Sequence, residues 1–165
     1  MATKGPMEVL AERNAVTGES GTNPRKQLYW EDVEVGQDIP GYSLEVNWTQ
    51  IVRQVSGGQD FFPVHYDPDF AAERGDPVFV NTSFMQGCFD HLVSDWIGDD
   101  GFIRKFRMEM RRMNILGDTM VLKGKVTNKY VQDGENLVDA DVWCENEREG
   151  VTTPCKATVR LPSKG

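Results

Sequence analysis

The segment Ser56-Gly57-Gly58-Gln59-Asp60-Phe61-Phe62-Pro63-Val64-His65-Tyr66-Asp67 sets a carboxylate and an imidazole five positions apart. If both reach one water molecule, one can activate it while the other exchanges a proton with a carbon chain, as a hydration requires. The glycines before Asp60 and Pro63 between the pair stiffen the loop enough to hold a geometry. Residue types alone leave a second reading open, a surface aspartate with a nearby histidine that caps or packs. Asp67, two positions after His65, reads as the cap of a short helix more readily than as a reacting group.

The elements that must position this loop follow from periodicity. Tyr42, Leu44, Val46 and Trp48 alternate with polar residues and predict a half-buried strand. Thr49 then reads as the N-cap of a short helix carrying Ile51, Val52 and Val55, stopped by Gly57 and Gly58. Pro68 opens a brief helix over 69–74. The clearest helix runs from Asn81 to Ile97. Phe84, Cys88, Leu92 and Trp96 form one row, and Met85, Phe89, Val93 and Ile97 form the next, giving one broad apolar stripe. Asn81, Thr82 and Ser83 offer caps at its start, and Gly98 ends it. His91 and Asp95, one turn apart, read as a solvated or interface pair.

A helix with so wide a stripe must be wrapped, and four alternating runs follow it. They cover roughly Ile103–Asn114, Met120–Gln132, Val138–Cys144 and Cys155–Leu161, with the hairpin dipeptide Asp133-Gly134 between the second and third. The expected fold class is therefore α+β, an antiparallel sheet rolled around one long central helix in the hot-dog arrangement. Such a sheet leaves edges to be covered, so pairing of two units is expected. The expected organisation is a polar N-terminal arm over 1–27 and one domain over 28–163.

Composition excludes several classes. The 165 residues carry 26 acidic against 18 basic side chains, a net charge of −8, so non-specific binding to nucleic acid or an anionic membrane is not expected. Four Trp, eight Phe and four Tyr imply a real core, and no apolar run is long enough to span a bilayer. Cys88, Cys144 and Cys155 form no Cys-x-x-Cys pair, and an odd count argues for a reducing compartment, read here as the cytoplasm. With His65 and His91 they show no metal-ligand spacing, so no metal is expected.

The loop also resembles a family. Asp-x4-His-x-Asp-x3-Ala, present as Asp60, His65, Asp67 and Ala71, resembles the signature of the MaoC-like dehydratases, the (R)-specific enoyl-CoA hydratase group. The lead-in Tyr29-Trp30-Glu31-Asp32-Val33-Glu34-Val35-Gly36 and the turn Gly117-Asp118-Thr119, followed by Gly124-Lys125-Val126, resemble further pieces in the same order. The resemblance implies a hot-dog fold and syn addition of water to a trans-2-enoyl-CoA. It implies that Asp60 activates the water while His65 holds it and exchanges a proton with Cα. It also implies that the thioester carbonyl lies at the start of the long helix, near Thr82 and Ser83, with coenzyme A as part of the substrate and no separate cofactor, while Asn81 either hydrogen-bonds a catalytic group or only caps the helix. The chain departs from the pattern at Phe62-Pro63, where the family often has Asn-Pro, and at Asn81-Thr82, where it usually has His-Gly. Phe79-Val80-Asn81 with Asp95-Trp96 resembles actinobacterial subunits that hydrate steroid side-chain enoyl-CoA esters together with a second hot-dog chain. A bulky acyl group and either a homodimer or a heteromer are the expectations that follow.

Two further groups admit two readings each. Arg104, Lys105, Arg107, Arg111 and Arg112 are either a charged strand face that blunts an edge or a cradle for coenzyme A phosphates. Phe61 and Phe62 either line an acyl pocket or pack into the core. Two rivals to the hydratase stand beside it. One is a hot-dog acyl-CoA thioesterase, for which Asp90 is the plausible acid on the long helix. The other is a non-catalytic partner subunit.

Overall fold

In this computed structural model, which describes residues 26–165, the chain forms β1 (Asp38–Glu45), α1 (Trp48–Gly58), α2 (Pro68–Glu73), α3 (Thr82–Ile97), β2 (Phe102–Met108), β3 (Thr119–Gln132), β4 (Glu135–Asn146) and β5 (Gly150–Arg160). The strands make one antiparallel sheet in the order β1-β3-β4-β5-β2. Helix α3 lies against it, and the arrangement is the hot-dog fold. Most of the expected arm, residues 1–25, lies outside the described residues. Gln27 is described, and it ties the chain to the end of α3 by donating from Nε2 to the Ile97 carbonyl at 2.9 Å.

Both apolar rows of α3 are used. Met85, Phe89, Val93 and Ile97 are buried, as are Cys88, Leu92 and Trp96. They meet the inward side chains of the sheet, among them Met120, Leu122 and Val126 of β3, Val138, Ala140 and Val142 of β4, and Ala157 and Val159 of β5. Phe89 is fully enclosed and its ring lies 6.1 Å from that of Phe106 on β2. Burying a side chain of this size stabilises the fold by about 1.5–3 kcal/mol. The three cysteine thiols are buried too, which pushes Cys88 and Cys144 up to about 11 and Cys155 to about 12.

The opposite face of the sheet is charged. Lys156 pairs with Asp141 across β5 and β4 at 3.0 Å, Lys125 pairs with Asp38 across β3 and β1 at 3.2 Å, and Lys123 pairs with Glu145. The β3–β4 hairpin turns on Asp133 and Gly134, both with positive φ (52° and 78°), the twist a two-residue loop requires. No helix among the described residues is long and apolar enough to cross a membrane.

Several boundaries differ from the periodicity; the first strand already begins at Asp38 and the last at Gly150, and two further differences have a visible cause. The first strand ends at Glu45, and Trp48 opens α1. Asn47, not Thr49, is the N-cap, its side chain accepting from the Gln50 N–H at 3.1 Å. Val46 still bonds across to Asp118, its N–H donating to the Asp118 carbonyl at 2.8 Å, but Asn47 then diverts the backbone. The first strand after α3 stops at Met108 rather than reaching Asn114. Beyond it the backbone wanders over β5, with Glu109 N–H donating to the Pro154 carbonyl and Arg111 N–H to the Thr152 carbonyl.

Candidate active site

Helix α1 is amphipathic and buries Ile51, Gln54 and Val55. It ends on Gln59, a non-glycine residue in the left-handed region (φ 54°), which swings the chain so that Asp60 leaves the helix axis. The Asp60 side chain then braces its own loop, with Oδ1 accepting from the Phe62 N–H at 3.3 Å. Pro63 opens a 3-10 turn that ends on His65. Asp67 caps α2 as its position suggests, accepting from the N–H groups of Asp69 and Phe70. The loop is thus held at both ends by helices and in the middle by turn hydrogen bonds.

The folded chain brings Asp60 and His65 together. Asp60 Oδ2 lies 3.5 Å from His65 Nε2. His65 is 8% exposed, while the Asp60 side chain is 37% exposed, so the pair joins a buried ring to a carboxylate open to solvent. The other imidazole nitrogen, Nδ1, lies 3.0 Å from the Phe79 carbonyl oxygen. A carbonyl only accepts, so Nδ1 carries a hydrogen and the neutral ring presents a lone pair at Nε2. The ring is walled by aromatic edges, with Phe79 at 4.8 Å and Phe62 at 6.4 Å between centroids.

Asn81 joins the same cluster. Its Nδ2 donates to Asp60 Oδ2 at 3.0 Å, and its Oδ1 accepts from the Phe84 N–H at 2.8 Å as the N-cap of α3. One side chain therefore starts the long helix and grips the carboxylate. The cap uses the third N–H of the helix. Those of Thr82 and Ser83 have no acceptor among the described residues, and both residues are exposed. Two unsatisfied donors at the positive end of a four-turn helix, beside a carboxylate and an imidazole, suit a developing oxyanion.

Phe61 and Phe62 are not core residues. They are 58% and 48% exposed and flank the dyad. Phe62 stacks edge-on to Phe70, and the Arg74 guanidinium lies 5.6 Å from its ring centre. The basic run lies elsewhere. Arg107 is on the outer face of β2, because Phe106 beside it points to α3. Arg111 holds Glu109 through two N–H donors at 3.0 and 2.7 Å, and Arg112 lies 3.6 Å from Glu149. Arg107 and Arg111 line a groove of about 500 Å³ on the outer face together with Glu109, Asp141, Trp143 and Lys156. His91 and Asp95 pair on the exposed side of α3 at 3.3 Å.

Sequence reasoning missed Gln54. It is 3% exposed and bonds to both Phe79 and Asn81. The available signal was a polar residue set among Ile51 and Val55 on the apolar side of α1. Also missed was the buried network behind the site. Asn114 Nδ2 donates to Thr152 Oγ1 at 3.1 Å, Asn146 Nδ2 donates to Asn114 Oδ1 at 3.0 Å, and Asp118 takes Asn146 and Arg148. The Asn114 carbonyl accepts from the Val80 N–H at 3.0 Å, and Phe79 bridges Ile115, so the network carries the segment on which His65 and Asn81 rest.

No family model and no curated protein matches the chain by sequence. Solved structures match its fold. The ChsH1-ChsH2 complex from Mycobacterium tuberculosis is 28% identical with a TM-score of 0.71, over 78% of this chain and 98% of that one. An (R)-hydratase from A. caviae involved in PHA biosynthesis is 19% identical with a TM-score of 0.71, over 80% and 99%. A MaoC-like dehydratase from Rhodospirillum rubrum is 17% identical with a TM-score of 0.70, over 84% and 99%. The fold is that of the MaoC-like dehydratases and (R)-hydratases.

Proposed function

We propose that the protein is an enoyl-CoA hydratase, a hydro-lyase that adds water syn across the double bond of a trans-2-enoyl-CoA and catalyses the reverse dehydration. The observation that carries the reading is the facing of Asp60 Oδ2 and His65 Nε2 at 3.5 Å, beside the unsatisfied N–H groups of Thr82 and Ser83. Two acceptors aimed at one point suit a water molecule that donates to both. In the hydration direction the water oxygen attacks Cβ and electron density moves to the thioester oxygen, where the α3 N-terminus stabilises it. The dyad accepts one proton from water and returns one to Cα on the same face. The net change is one water added, with the dyad regenerated. Asn81 keeps the Asp60 carboxylate aimed, and the Phe79 carbonyl keeps the Nε2 lone pair aimed. The residues need no separate cofactor for these steps, since coenzyme A enters with the substrate.

A thioesterase reading would use an acid on α3 that faces the thioester. Asp90 is exposed and about 12 Å along the helix from Thr82, at 1.5 Å per residue, away from the dyad. Product analysis separates the two chemistries, because free coenzyme A identifies a thioesterase and a 3-hydroxyacyl-CoA identifies a hydratase. A partner subunit that only shapes another chain's tunnel would have no use for a dyad held by three separate hydrogen-bonded supports.

The acyl group is proposed to be bulky or branched. Exposed Phe61 and Phe62 beside the dyad offer a wide apolar contact rather than a narrow slot. The unit is proposed to act as a homodimer or with a second hot-dog chain, a reading supported by the likeness to one member of a two-chain complex. A panel of enoyl-CoA esters from crotonyl to polycyclic, assayed with protein of known mass in solution, tests both. The expected result is a preference for the large esters. Preference for crotonyl-CoA by a homodimer sinks the bulky-substrate proposal and leaves the hydratase standing, and activity only with an added second chain selects the heteromer.

Arg107, Arg111 and Arg112 are proposed to hold coenzyme A phosphates in the assembled enzyme. Replacing Arg111 and Arg112 together by Gln should raise KM for the ester at least about fivefold with kcat within about twofold, since the phosphates are remote from the bond changes. Steady-state kinetics on one good ester checks it, and an unchanged KM returns these residues to surface ion pairing with Glu109 and Glu149.

A further inference from the structure

Gln54 stands six residues before Asp60 on a different element and touches neither reacting group. Its amide nevertheless contacts the backbone support of both. Nε2 donates to the Phe79 carbonyl at 3.2 Å, and Oε1 accepts from the Asn81 N–H at 2.8 Å. The Phe79 carbonyl is the oxygen that holds His65 Nδ1, and Asn81 is the residue whose side chain holds Asp60. A carbonyl has two lone pairs, so His65 and Gln54 can occupy it together. Only one orientation of the amide satisfies both partners, because the carbonyl needs a donor and the N–H needs an acceptor. Gln54 is 3% exposed and Asn81 is 3% exposed, so water cannot replace either bond without opening the helix packing.

We infer that Gln54 is a positioning residue that clamps the Phe79-Val80-Asn81 backbone from the α1 side and so sets the tautomer and direction of His65. The inference rests on the reading of Asp60 and His65 as the reacting pair, but its main test needs no activity. Without the clamp the Phe79–Val80 peptide keeps only its bond from the Val80 N–H to the Asn114 carbonyl, on the side away from α1, and the Phe79 carbonyl can tilt off Nδ1. The hold on the Nδ1 hydrogen weakens, and Nε2 no longer presents a fixed lone pair.

The chain has two histidines, so the ring nitrogens of His65 can be read directly. In protein labelled with nitrogen-15 histidine, long-range proton–nitrogen spectra are recorded at a pH where titration finds the ring neutral. His91→Gln assigns the other set of signals. Wild type is expected to show His65 protonated at Nδ1 alone. Gln54→Met keeps the length and removes donor and acceptor. It should move His65 to an averaged or Nε2-protonated pattern and lower kcat at least about tenfold while KM stays within about twofold, since a wrong histidine tautomer is known to cost far more than that in hydrolases. If Gln54→Met does not fold, Gln54→Asn, one methylene too short to reach both partners, carries the same expectation.

A folded variant that keeps the wild-type tautomer overturns the inference, as does a tautomer change with kcat untouched, or loss of the fold in both variants, which would make Gln54 structural only. The proposed reaction fails separately. If wild type hydrates no enoyl-CoA and Gln54→Met still moves the tautomer, the clamp stands and the hydratase reading falls.

Discussion

Replacing Asp60 by Asn, or His65 by Gln, is expected to lower turnover on an accepted enoyl-CoA by about two orders of magnitude or more, the usual scale of a lost acid–base group. In Asp60→Asn the new amide could still accept from the Phe62 N–H or from Asn81, but it does not take a proton from water. In His65→Gln the new side chain could still donate to the Phe79 carbonyl, but it offers no titrating nitrogen beside Asp60. The cost to the fold should be small for Asp60→Asn, because the side chain is 37% exposed. For His65→Gln, the buried ring gives up contacts with Phe62 and Phe79, and a loss of about 1–2 kcal/mol is expected. Turnover measured beside thermal unfolding checks both. Near wild-type turnover by either folded variant, on a substrate the wild type accepts, removes that residue from the reaction.

Asn81 allows its two roles to be separated. Asn81→Ala removes the α3 cap and the grip on Asp60 together. Loss of the cap should cost about 1 kcal/mol, read from a denaturant midpoint, and activity should fall about tenfold. Asn81→Asp keeps the cap, since aspartate caps as well as asparagine. It puts a second carboxylate where Nδ2 now lies 3.0 Å from Asp60 Oδ2. Two carboxylates so close compete for one proton, which raises the pH at which the pair becomes fully ionised. Activity that needs ionised Asp60 is then lost as pH falls through a higher value than in wild type. The acid limb of kcat/KM should therefore move to higher pH, with activity recovering in part on the alkaline side. An acid limb unmoved in Asn81→Asp would mean that Asp60 does not act as the ionised group.

Much of the scaffold was legible because it is local. The two rows from Phe84 and Met85 to Trp96 and Ile97 required a wrapped helix, and α3 buries both apart from the half-buried Phe84. Asp133-Gly134 required a hairpin, and Asp67 before Pro68 required a cap. Each follows from backbone geometry or from a stripe that water must not reach, and none depends on distant partners. The boundaries that failed were set by other groups. Trp48 is in phase with Tyr42, Leu44 and Val46, yet the cap on Asn47 outweighs the alternation. The first strand after α3 is in phase to Met110, yet past Met108 its N–H groups turn to the Pro154 and Thr152 carbonyls.

The amino-acid sequence by itself determined that a carboxylate and an imidazole share one braced loop, that an asparagine heads a long buried helix, and that a sheet must enclose that helix. Tertiary structure decided what those groups face. It put Asn81 on Asp60, His65 on the Phe79 carbonyl and Gln54 between them, and it set the arginines on the outer face of the sheet and beyond β2. Periodicity reports which side of an element avoids water. It carries no record of which backbone carbonyl, tens of residues away, will occupy a given lone pair, because that pairing exists only after the helix and sheet have closed on each other.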